Sequence, residues 1–304
     1  MSWIVFALSA PTLWAISTHL DKYLLERYFK QTNVAVLLIF TSFAGLIFLP
    51  FIWWFDPTVI ALSLSNICLI ALAGILYMSA MFFYLHAIQS EEASVVAPFF
   101  QASALFGYVL GYMVLGETLT GPQLLGGVLI ISGAALVSIS FGNSAKNFNG
   151  RLAVLMLMCA LVLSLSSLIF KVFALQDDFW PTTFWMFVGQ AVFGAVFLAF
   201  ASFRRQFFSL LRSNTGALLA INGANEMINI GGGLGSRYAL VLAPMSLVQA
   251  VGSTTTLFVF IFGVALTAFF PSLGRENLSL GNLAQKGLAA LLVAAGIFFM
   301  HQFG

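Results

Sequence analysis

Ten long apolar runs determine what this chain can fold into. Each run has about 20 residues, the length at which an α-helix crosses the hydrocarbon core of a bilayer. Membrane β-strands show a different pattern, in which segments of about 10 residues alternate in polarity. The sequence therefore predicts an all-α integral membrane protein with ten transmembrane helices. The runs cover residues 2–20, 34–54, 66–87, 93–115, 123–140, 151–172, 181–201, 215–237, 244–269 and 283–301.

The scarcity of charge excludes the water-soluble classes of protein. The chain of 304 residues has 12 Lys and Arg and 10 Asp and Glu, so that 7% of it is charged. A soluble domain of this length would carry about 25%, or about 76 charged residues. Hydrophobic residues make up 61% of the chain, which leaves too little polar surface to cover a soluble globule. Soluble enzymes, disordered chains and disulfide scaffolds are excluded.

The ten runs divide into two sets of five that repeat residues at a constant spacing. A spacing of 149 residues relates runs 1 and 2 to runs 6 and 7, and a spacing of 152 relates run 4 to run 9. A spacing held across several helices is harder to obtain by chance than a single match. We predict two five-helix repeats, residues 1–145 and residues 146–304. The matching pairs are Ser17/Ser166, Lys22/Lys171, Gly45/Gly194, Phe48-Leu49/Phe197-Leu198, Ser94/Ser246, Val96/Val248 and Leu105-Phe106/Leu257-Phe258.

The odd number of helices in each repeat carries a functional implication. After five crossings the chain is on the other side of the membrane, so the second repeat enters the bilayer in the opposite sense. Such inverted repeats are the architecture of transporters whose two halves rock around a site near the bilayer midplane. The duplication therefore predicts transport by alternating access.

The organisation in two fives, together with several short motifs, resembles the EamA branch of the drug/metabolite transporter superfamily. The link Leu115-Gly116-Glu117-Thr118-Leu119-Thr120 and the following helix with Gly126-Gly127 and Gly133 resemble that family. The second repeat keeps a weaker copy, Gly274-Arg275-Glu276-Asn277-Leu278-Ser279, and Trp14 followed by Lys22 resembles the end of the family's first helix. The resemblance covers the whole chain. It implies a secondary transporter of small organic molecules, often an exporter, with a central cavity lined by both halves.

The distribution of basic residues predicts the orientation in the membrane. The face that holds the links after runs 1, 3, 5, 7 and 9 carries ten basic residues, and the opposite face carries only Lys171 and Arg237. Because basic loops stay in the cytoplasm, both termini are predicted to lie outside, although the resemblance implies cytoplasmic termini. Trp3, Trp53, Trp54 and Trp180 would then form an outer aromatic belt. The ten residues are Lys22, Arg27, Lys30, Lys146, Arg151, Arg204, Arg205, Arg212, Arg275 and Lys286.

Run 8 carries an unusual polar stripe. Asn222, Asn225, Glu226 and Asn229 are spaced i, i+3, i+4 and i+7, so they share one helical face. An acidic side chain near the centre of a span costs about 2.5–3.5 kcal/mol on insertion scales, so Glu226 requires compensation. One interpretation is a structural carboxylate paired with Lys171 or Arg237. The other is a carboxylate that couples transport to protons or contacts the substrate.

A glycine run follows the stripe, from Gly231 to Gly235. It could bend or break the helix and thereby line a cavity, or it could allow close helix packing.

Other interior polar and aromatic residues are candidates for the same cavity. Amides buried in lipid need partners, so we expect two of the three glutamines to contact the cavity. Aromatic side chains would pack against the apolar part of a substrate, and a zwitterion such as an amino acid would suit Glu226 together with a basic group. The further candidate substrate-binding residues are Gln101, Gln190, Gln249, Tyr77, Tyr84, Trp185, Ser17, Lys171 and Arg237.

The leading functional prediction is a secondary active exporter of small polar or amphipathic metabolites, such as amino acids or related compounds. It would lie in a bacterial inner or plasma membrane, with protons as a possible coupling ion. A flippase for a lipid-linked head group is the first alternative, and a membrane enzyme or a non-transporting subunit the second. The sequence contains no recognisable catalytic set, metal site, cofactor motif or nucleic-acid motif. Because the duplication supplies both halves in one chain, we predict a monomer or a weak homodimer.

Overall fold

Every element that the structure describes is helical. The computed structural model describes residues 3–27, 33–90, 102–138, 150–269 and 280–302, and no strand occurs within these ranges. The α-helices are α1 (Trp3–Arg27), α2 (Val34–Ala44), α3 (Leu49–Phe55), α4 (Leu64–Ser90), α5 (Ala102–Leu115), α6 (Gly121–Ser138), α7 (Gly150–Gln176), α8 (Phe179–Ala199), α9 (Ala201–Leu242), α10 (Met245–Gly252), α11 (Thr255–Phe269) and α12 (Leu280–Gln302), with 3₁₀ turns at Gly45–Phe48 and Pro57–Ile60.

The helices confirm a polytopic membrane protein. Six segments are long and apolar enough to cross a bilayer, and three shorter apolar helices accompany them. These nine segments correspond to nine of the ten predicted runs, and run 8 lies within α9. The number of ten spans therefore stays a prediction. The six long segments are Trp3–Asp21, Val34–Phe55, Leu64–Ala87, Ala153–Gln176, Phe179–Ala199 and Met245–Thr267.

Helix α9 differs from the sequence-based prediction. The pair Arg204-Arg205 was expected in a link between spans, but it lies inside this helix of 42 residues. At 1.5 Å per residue, the helix is about 63 Å long, about twice the thickness of the hydrocarbon core. Arg204, Arg205 and Arg212 are exposed near its first residues. The sequence between Phe200 and residue 214 contains no proline or glycine to end a helix, which explains why charge alone did not break it.

The surface is apolar where lipid would contact it. Trp54 and Phe55 are each 82% exposed, and Phe269 is 79% exposed. A soluble protein would not leave such side chains in water, whereas lipid chains solvate them at no cost. Trp53 and Trp180 of the predicted aromatic belt are also exposed.

The main helix contacts join the first predicted repeat to the second. Helix α1 packs along α9, α4 along α7, α6 along α12, and α2 along α8. In addition, α5 packs on α10, and α1 also contacts α11. The two sets of helices therefore interdigitate, so that any site between α1 and α9 is lined by both.

Small residues permit the closest of these approaches. Gly126 of α6 and Gly296 of α12 face each other, and a Cβ added to either would lie within 2.7 Å of the other's carbonyl oxygen. The glycine run of α9 also serves packing. A Cβ at Gly232 would lie 3.0 Å from the indole nitrogen of Trp14, and Gly235 is in contact with Phe6 of α1. Helix α9 is continuous through this run, so the glycines allow close packing and do not break the helix.

Candidate functional site

A buried polar cluster lies where α1, α2 and α9 meet. Glu226 of α9 is 3% exposed, and its Oε1 accepts a hydrogen bond of 2.6 Å from the hydroxyl of Thr41. Asn229, one turn further along α9, lies beside this carboxylate. The helical spacing predicted from sequence thus brings Asn229 to Glu226, while Thr41 reaches it from another helix.

Asp21 accepts the last bond of a chain of hydrogen bonds beside Glu226. Asn225 donates from Nδ2 to Oδ1 of Asp21 at 2.7 Å, and Ser17 donates to Oδ1 of Asn225 at 2.7 Å. Ser17 also lies near Asp21, one turn away on α1. The amide of Asn225 is therefore held by both its oxygen and its nitrogen. Since Ser17 and Asp21 are spaced i, i+4, they present one face of α1 to α9.

Two carboxyl groups share this enclosed region. Asp21 lies within electrostatic range of Glu226, and neither makes an ion pair within the described part of the chain. Two like charges in a site of low dielectric repel, and a proton or an organic cation that neutralises one relieves the repulsion. The cluster, defined by Ser17, Asp21, Thr41, Asn225, Glu226 and Asn229, can thus bind a proton or a cationic group. We call it the acid cluster.

Asn222 extends the acid cluster by one turn of α9. Its side chain is 5% exposed, and its Oδ1 is buried with no hydrogen-bond partner among the described residues. A buried amide oxygen without a donor is costly, and such atoms in binding sites are satisfied by ligands or water.

Arg237 lies three turns beyond Glu226 on the same face of α9. Its side chain is 8% exposed, and its Cζ lies 5.7 Å from the ring centre of Tyr77, 5.8 Å from that of Phe170 and 5.4 Å from that of Phe187. Nη1 has no hydrogen-bond partner within the described ranges. The guanidinium is thus surrounded by aromatic rings and not by carboxylates.

The predicted candidates Tyr77 and Tyr84 both lie on α4. Tyr77 lies within electrostatic range of Arg237, Glu226 and Asp21. Tyr84, two turns further along α4, lies within electrostatic range of Asp21. Tyr77 therefore lies near both the acid cluster and Arg237, and Tyr84 lies near the acid cluster.

Lys171 has a different partner from those considered for it. It forms a buried ion pair with Glu117 at 2.5 Å and donates to the carbonyl oxygen of Ala243. Oε2 of Glu117 accepts from the backbone N–H of Met245 at 2.8 Å. The glutamate of the Leu115–Thr120 link thus ties α7 to the start of α10. The proposed pairing of Glu226 with Lys171 or Arg237 is absent from the described structure.

Three of the four remaining candidates lie elsewhere. Gln249 contacts Ser164 of α7 at 3.4 Å and lies against Gly107 of α5. Trp185 donates from Nε1 to the carbonyl oxygen of Val59 at 2.6 Å. Gln190 is buried on α8, with its Nε2 unpartnered by any described residue. Gln101 lies outside the described residues.

Sequence reasoning missed three members of these contacts, namely Asp21, Thr41 and Glu117. Asp21 stands next to Lys22, just beyond the end of its run, where charges commonly face the interface, so its position did not indicate a buried role. Its spacing from Ser17 was the signal that could have placed it on the inner face. Thr41 carried no signal, because threonine in membrane helices usually bonds its own backbone.

The fold and the site together define the class of protein. Several long apolar helices that enclose a buried polar cluster are those of a multi-pass integral membrane protein. Within this class, the EamA-like transporter family matches residues 1–139, which confirms the resemblance predicted from the sequence. The description of this family is that of membrane transporters.

The other comparisons concern the whole chain. A solved crystal structure of a protein aligns with 99% of this chain and 98% of its own, with a TM-score of 0.71 and 14% sequence identity. At this identity the likeness shows a shared fold and nothing about function. None of the curated proteins matches the chain.

Proposed function

We propose that this protein is a secondary active transporter that exports small polar or amphipathic metabolites, such as amino acids or related compounds, by alternating access. The observation that carries the proposal is the acid cluster. It places two carboxyl groups, the half-buried Asp21 and the buried Glu226, between a helix of the first predicted repeat and a helix of the second. A site in this position changes its access when the two halves move relative to each other.

The helix contacts support the inverted repeat on which this mechanism depends. If runs 1 to 5 correspond to runs 6 to 10, each contact should have a counterpart in which the halves are exchanged. The contact of α1 with α9 has its counterpart in that of α7 with α4, and the contact of α2 with α9 in that of α8 with α4. The contact of α1 with α11 corresponds to that of α7 with α5.

Two side chains at equivalent positions show the same exchange. Ser17 of α1 donates across to Asn225 of α9, while Ser166 of α7 donates across to the carbonyl oxygen of Ala73 in α4. The acceptor is a polar side chain in the first contact and a backbone carbonyl oxygen in the second. The acid cluster is thus a one-sided addition to a paired framework, as expected for a residue set that selects a ligand.

Proton exchange provides the coupling in this proposal. A proton and a cationic or hydrogen-bonding group of the substrate compete for the same two carboxyl groups. When the cluster faces the medium with the higher proton concentration, protonation releases the substrate. When it faces the cytoplasm, the substrate displaces the proton, so proton entry drives export.

The test is transport by the purified protein in proteoliposomes, measured with a metabolite panel at two opposite pH gradients. We expect transport of at least one panel member whose rate depends on the gradient. Glu226→Gln and Asp21→Asn should abolish transport or make it independent of pH. Thr12→Val is the matched control, because Thr12 bonds only the carbonyl oxygen of Leu8 in its own helix. Normal pH-dependent transport by Glu226→Gln would contradict the proposal.

A further inference from the structure

We propose that Arg237 forms a subsite for a single negative charge on the substrate, of the kind that a carboxylate carries. This inference rests on the proposed transport function and specifies the chemical class of its substrate. Sequence reasoning considered two basic groups for such a role. Lys171 is occupied by Glu117 and Ala243, which leaves Arg237 as the available cation of the two.

The unsatisfied guanidinium is the first observation. Arginine keeps its charge in proteins and has five N–H donors. A buried arginine with a structural role is normally paired with a carboxylate or with carbonyl oxygens, because an unpaired buried charge is strongly destabilising. Arg237 is nine-tenths buried, and no carboxylate of the described residues contacts it. Nη1 lacks any described acceptor.

The aromatic surroundings are the second observation. Tyr77, Phe170 and Phe187 come from three different helices, α4, α7 and α8, and converge on one guanidinium. Such rings stabilise a cation through their faces, and no described hydrogen bond joins the hydroxyl of Tyr77 to the in-plane N–H groups of Arg237. A planar carboxylate is the ligand whose two oxygens match these groups. The rings would at the same time contact the apolar body of the molecule that carries it.

The space beside the guanidinium is the third observation. Cζ of Arg237 lies 3.8 Å from the position that a Cβ of Gly233 would occupy. The side chain therefore extends back over the preceding turn, towards the acid cluster, along a surface where Gly233 has no side chain. Glu226 and Arg237 are 11 residues apart, which corresponds to about 16 Å between their Cα atoms along the helix. Tyr77 lies between the two regions.

This separation assigns different ligands to the two regions. The distance is too long for the amino and carboxylate groups of one α-amino acid to contact Glu226 and Arg237 directly. Arg237 would hold the anionic group of the substrate, while the acid cluster would hold the proton or the cationic or hydrogen-bonding group, further along the substrate, that displaces it. One positive charge balances one negative charge, so a monoanion is favoured over a dianion such as a phosphate monoester, which would leave a buried charge uncompensated.

The experiment measures ligand binding in place of transport. Thermal stabilisation of the purified full-length protein in detergent is recorded with benzoate, phenylacetate and hexanoate, and with their neutral amides. Ligands that bind the folded state raise the melting temperature. We expect at least one carboxylate to stabilise the protein and its amide to do so much less. Arg237→Gln should weaken carboxylate binding roughly 30-fold or more.

Two further variants separate a binding role from a structural one. Arg237→Lys retains the charge and should bind the carboxylate more weakly than the wild type but better than Arg237→Gln. Thr12→Val, which removes a hydroxyl whose described hydrogen bond is to the carbonyl oxygen of Leu8 within α1, should bind it normally. The proposal is overturned if carboxylates and amides stabilise equally, if none of the carboxylates stabilises, or if Arg237→Gln binds as the wild type does. The wild-type comparison does not depend on how any variant folds.

The outcomes also distinguish this inference from the proposed function. Selective carboxylate binding by a protein that moves no panel member in proteoliposomes would support the subsite and contradict transport. Transport without any preference for carboxylates over amides would support the function and overturn the subsite.

Discussion

At the scale of single residues, the site depends on hydrogen bonds that cross between helices. Glu226 receives its shortest described hydrogen bond from Thr41 of α2, and Asp21 is held by Asn225 of α9. Each of these bonds stabilises a carboxyl group that would be expensive to bury alone. The same bonds tie together helices that must separate if access to the site alternates. We therefore expect transport to be sensitive to residues that are not themselves acidic.

Replacing Thr41 with valine tests this expectation. The substitution keeps the shape of the side chain and removes the donor to Glu226. We expect a loss of about 1–3 kcal/mol in stability, because a buried carboxylate oxygen is left unpaired, and a several-fold lower transport rate. Thermal unfolding and proteoliposome transport are the measurements.

Thr18→Val provides the matched control for this change. Thr18 donates to the carbonyl oxygen of Trp14 within α1, so its loss should change little. If the two variants behave alike, the hydrogen bond to Glu226 has no special role.

Lys171 and Glu117 allow a second test of a buried charge. Lys171→Met removes one member of the pair and leaves Glu117 with an unbalanced charge, which should cost about 3–5 kcal/mol. The double variant Lys171→Met with Glu117→Gln removes both charges and should be more stable than the single variant. Thermal unfolding of both proteins decides the matter. A double variant that is less stable than Lys171→Met would show that the charge itself is not the cause.

At the scale of the helices, close packing between small residues sets how near two elements can come. Helices α6 and α12 meet where Gly126 and Gly296 face each other. Helices α4 and α8 approach each other in the same way, with Gly74 against the backbone of α8 and Gly189 against that of α4. Lipid chains are as apolar as the helices, so the exclusion of water does not favour one pair of helix faces over another. The fit between the shapes of the faces decides which of them associate.

Gly126→Ala should therefore destabilise the protein. The added Cβ would lie 2.7 Å from the carbonyl oxygen of Gly296, and backbone must move to accommodate it. We expect a cost of about 1–3 kcal/mol, measured by thermal unfolding in detergent.

The neighbouring Gly127→Ala is the control in the same helix. Its Cβ would meet only the terminal carbon of Met300, at 3.5 Å, which is an ordinary contact. Equal stability of the two variants would mean that α6 and α12 do not approach each other as described.

At the scale of the whole molecule, the burial of charge sharpens the prediction of orientation. Ten of the twelve basic residues belong to one face by sequence. The two exceptions, Lys171 and Arg237, are 4% and 8% exposed. Because they lie inside the protein, they are not loop charges. The difference in loop charge between the two faces is therefore larger than the ten against two counted from the sequence, and such a difference keeps the basic loops in the cytoplasm.

Fusions to the carboxyl terminus test this orientation. We expect a fusion of alkaline phosphatase after Gly304 to be active and a fusion of green fluorescent protein at the same position to be dark, since both reporters would be outside. Fusions after Ala145, at the end of the first predicted repeat, should give the reverse pattern. A fluorescent carboxyl-terminal fusion without phosphatase activity would contradict the predicted topology.

Helix positions and the polar face of run 8 were accessible from the sequence because they depend on local pattern. Apolar length determines where a span lies, and the 3.6-residue period places Asn225, Glu226 and Asn229 on one face of any helix. The resemblance to the EamA family could be predicted from the motif in the Leu115–Thr120 link. The beginning of α9 was predicted less well, because exposed arginines do not stop a helix.

The partners of the buried charges were decided only by the tertiary structure. Ten apolar runs by themselves determined a helical membrane protein, since a chain with so few charges has no other solvent in which to fold. They left open whether Glu226 pairs with Lys171, with Arg237 or with neither. Lys171 contacts Glu117, Glu226 contacts Thr41, and Arg237 lies among aromatic rings. Each of these contacts joins helices distant in sequence, and their choice follows from which helix faces pack together, a property that no local pattern contains.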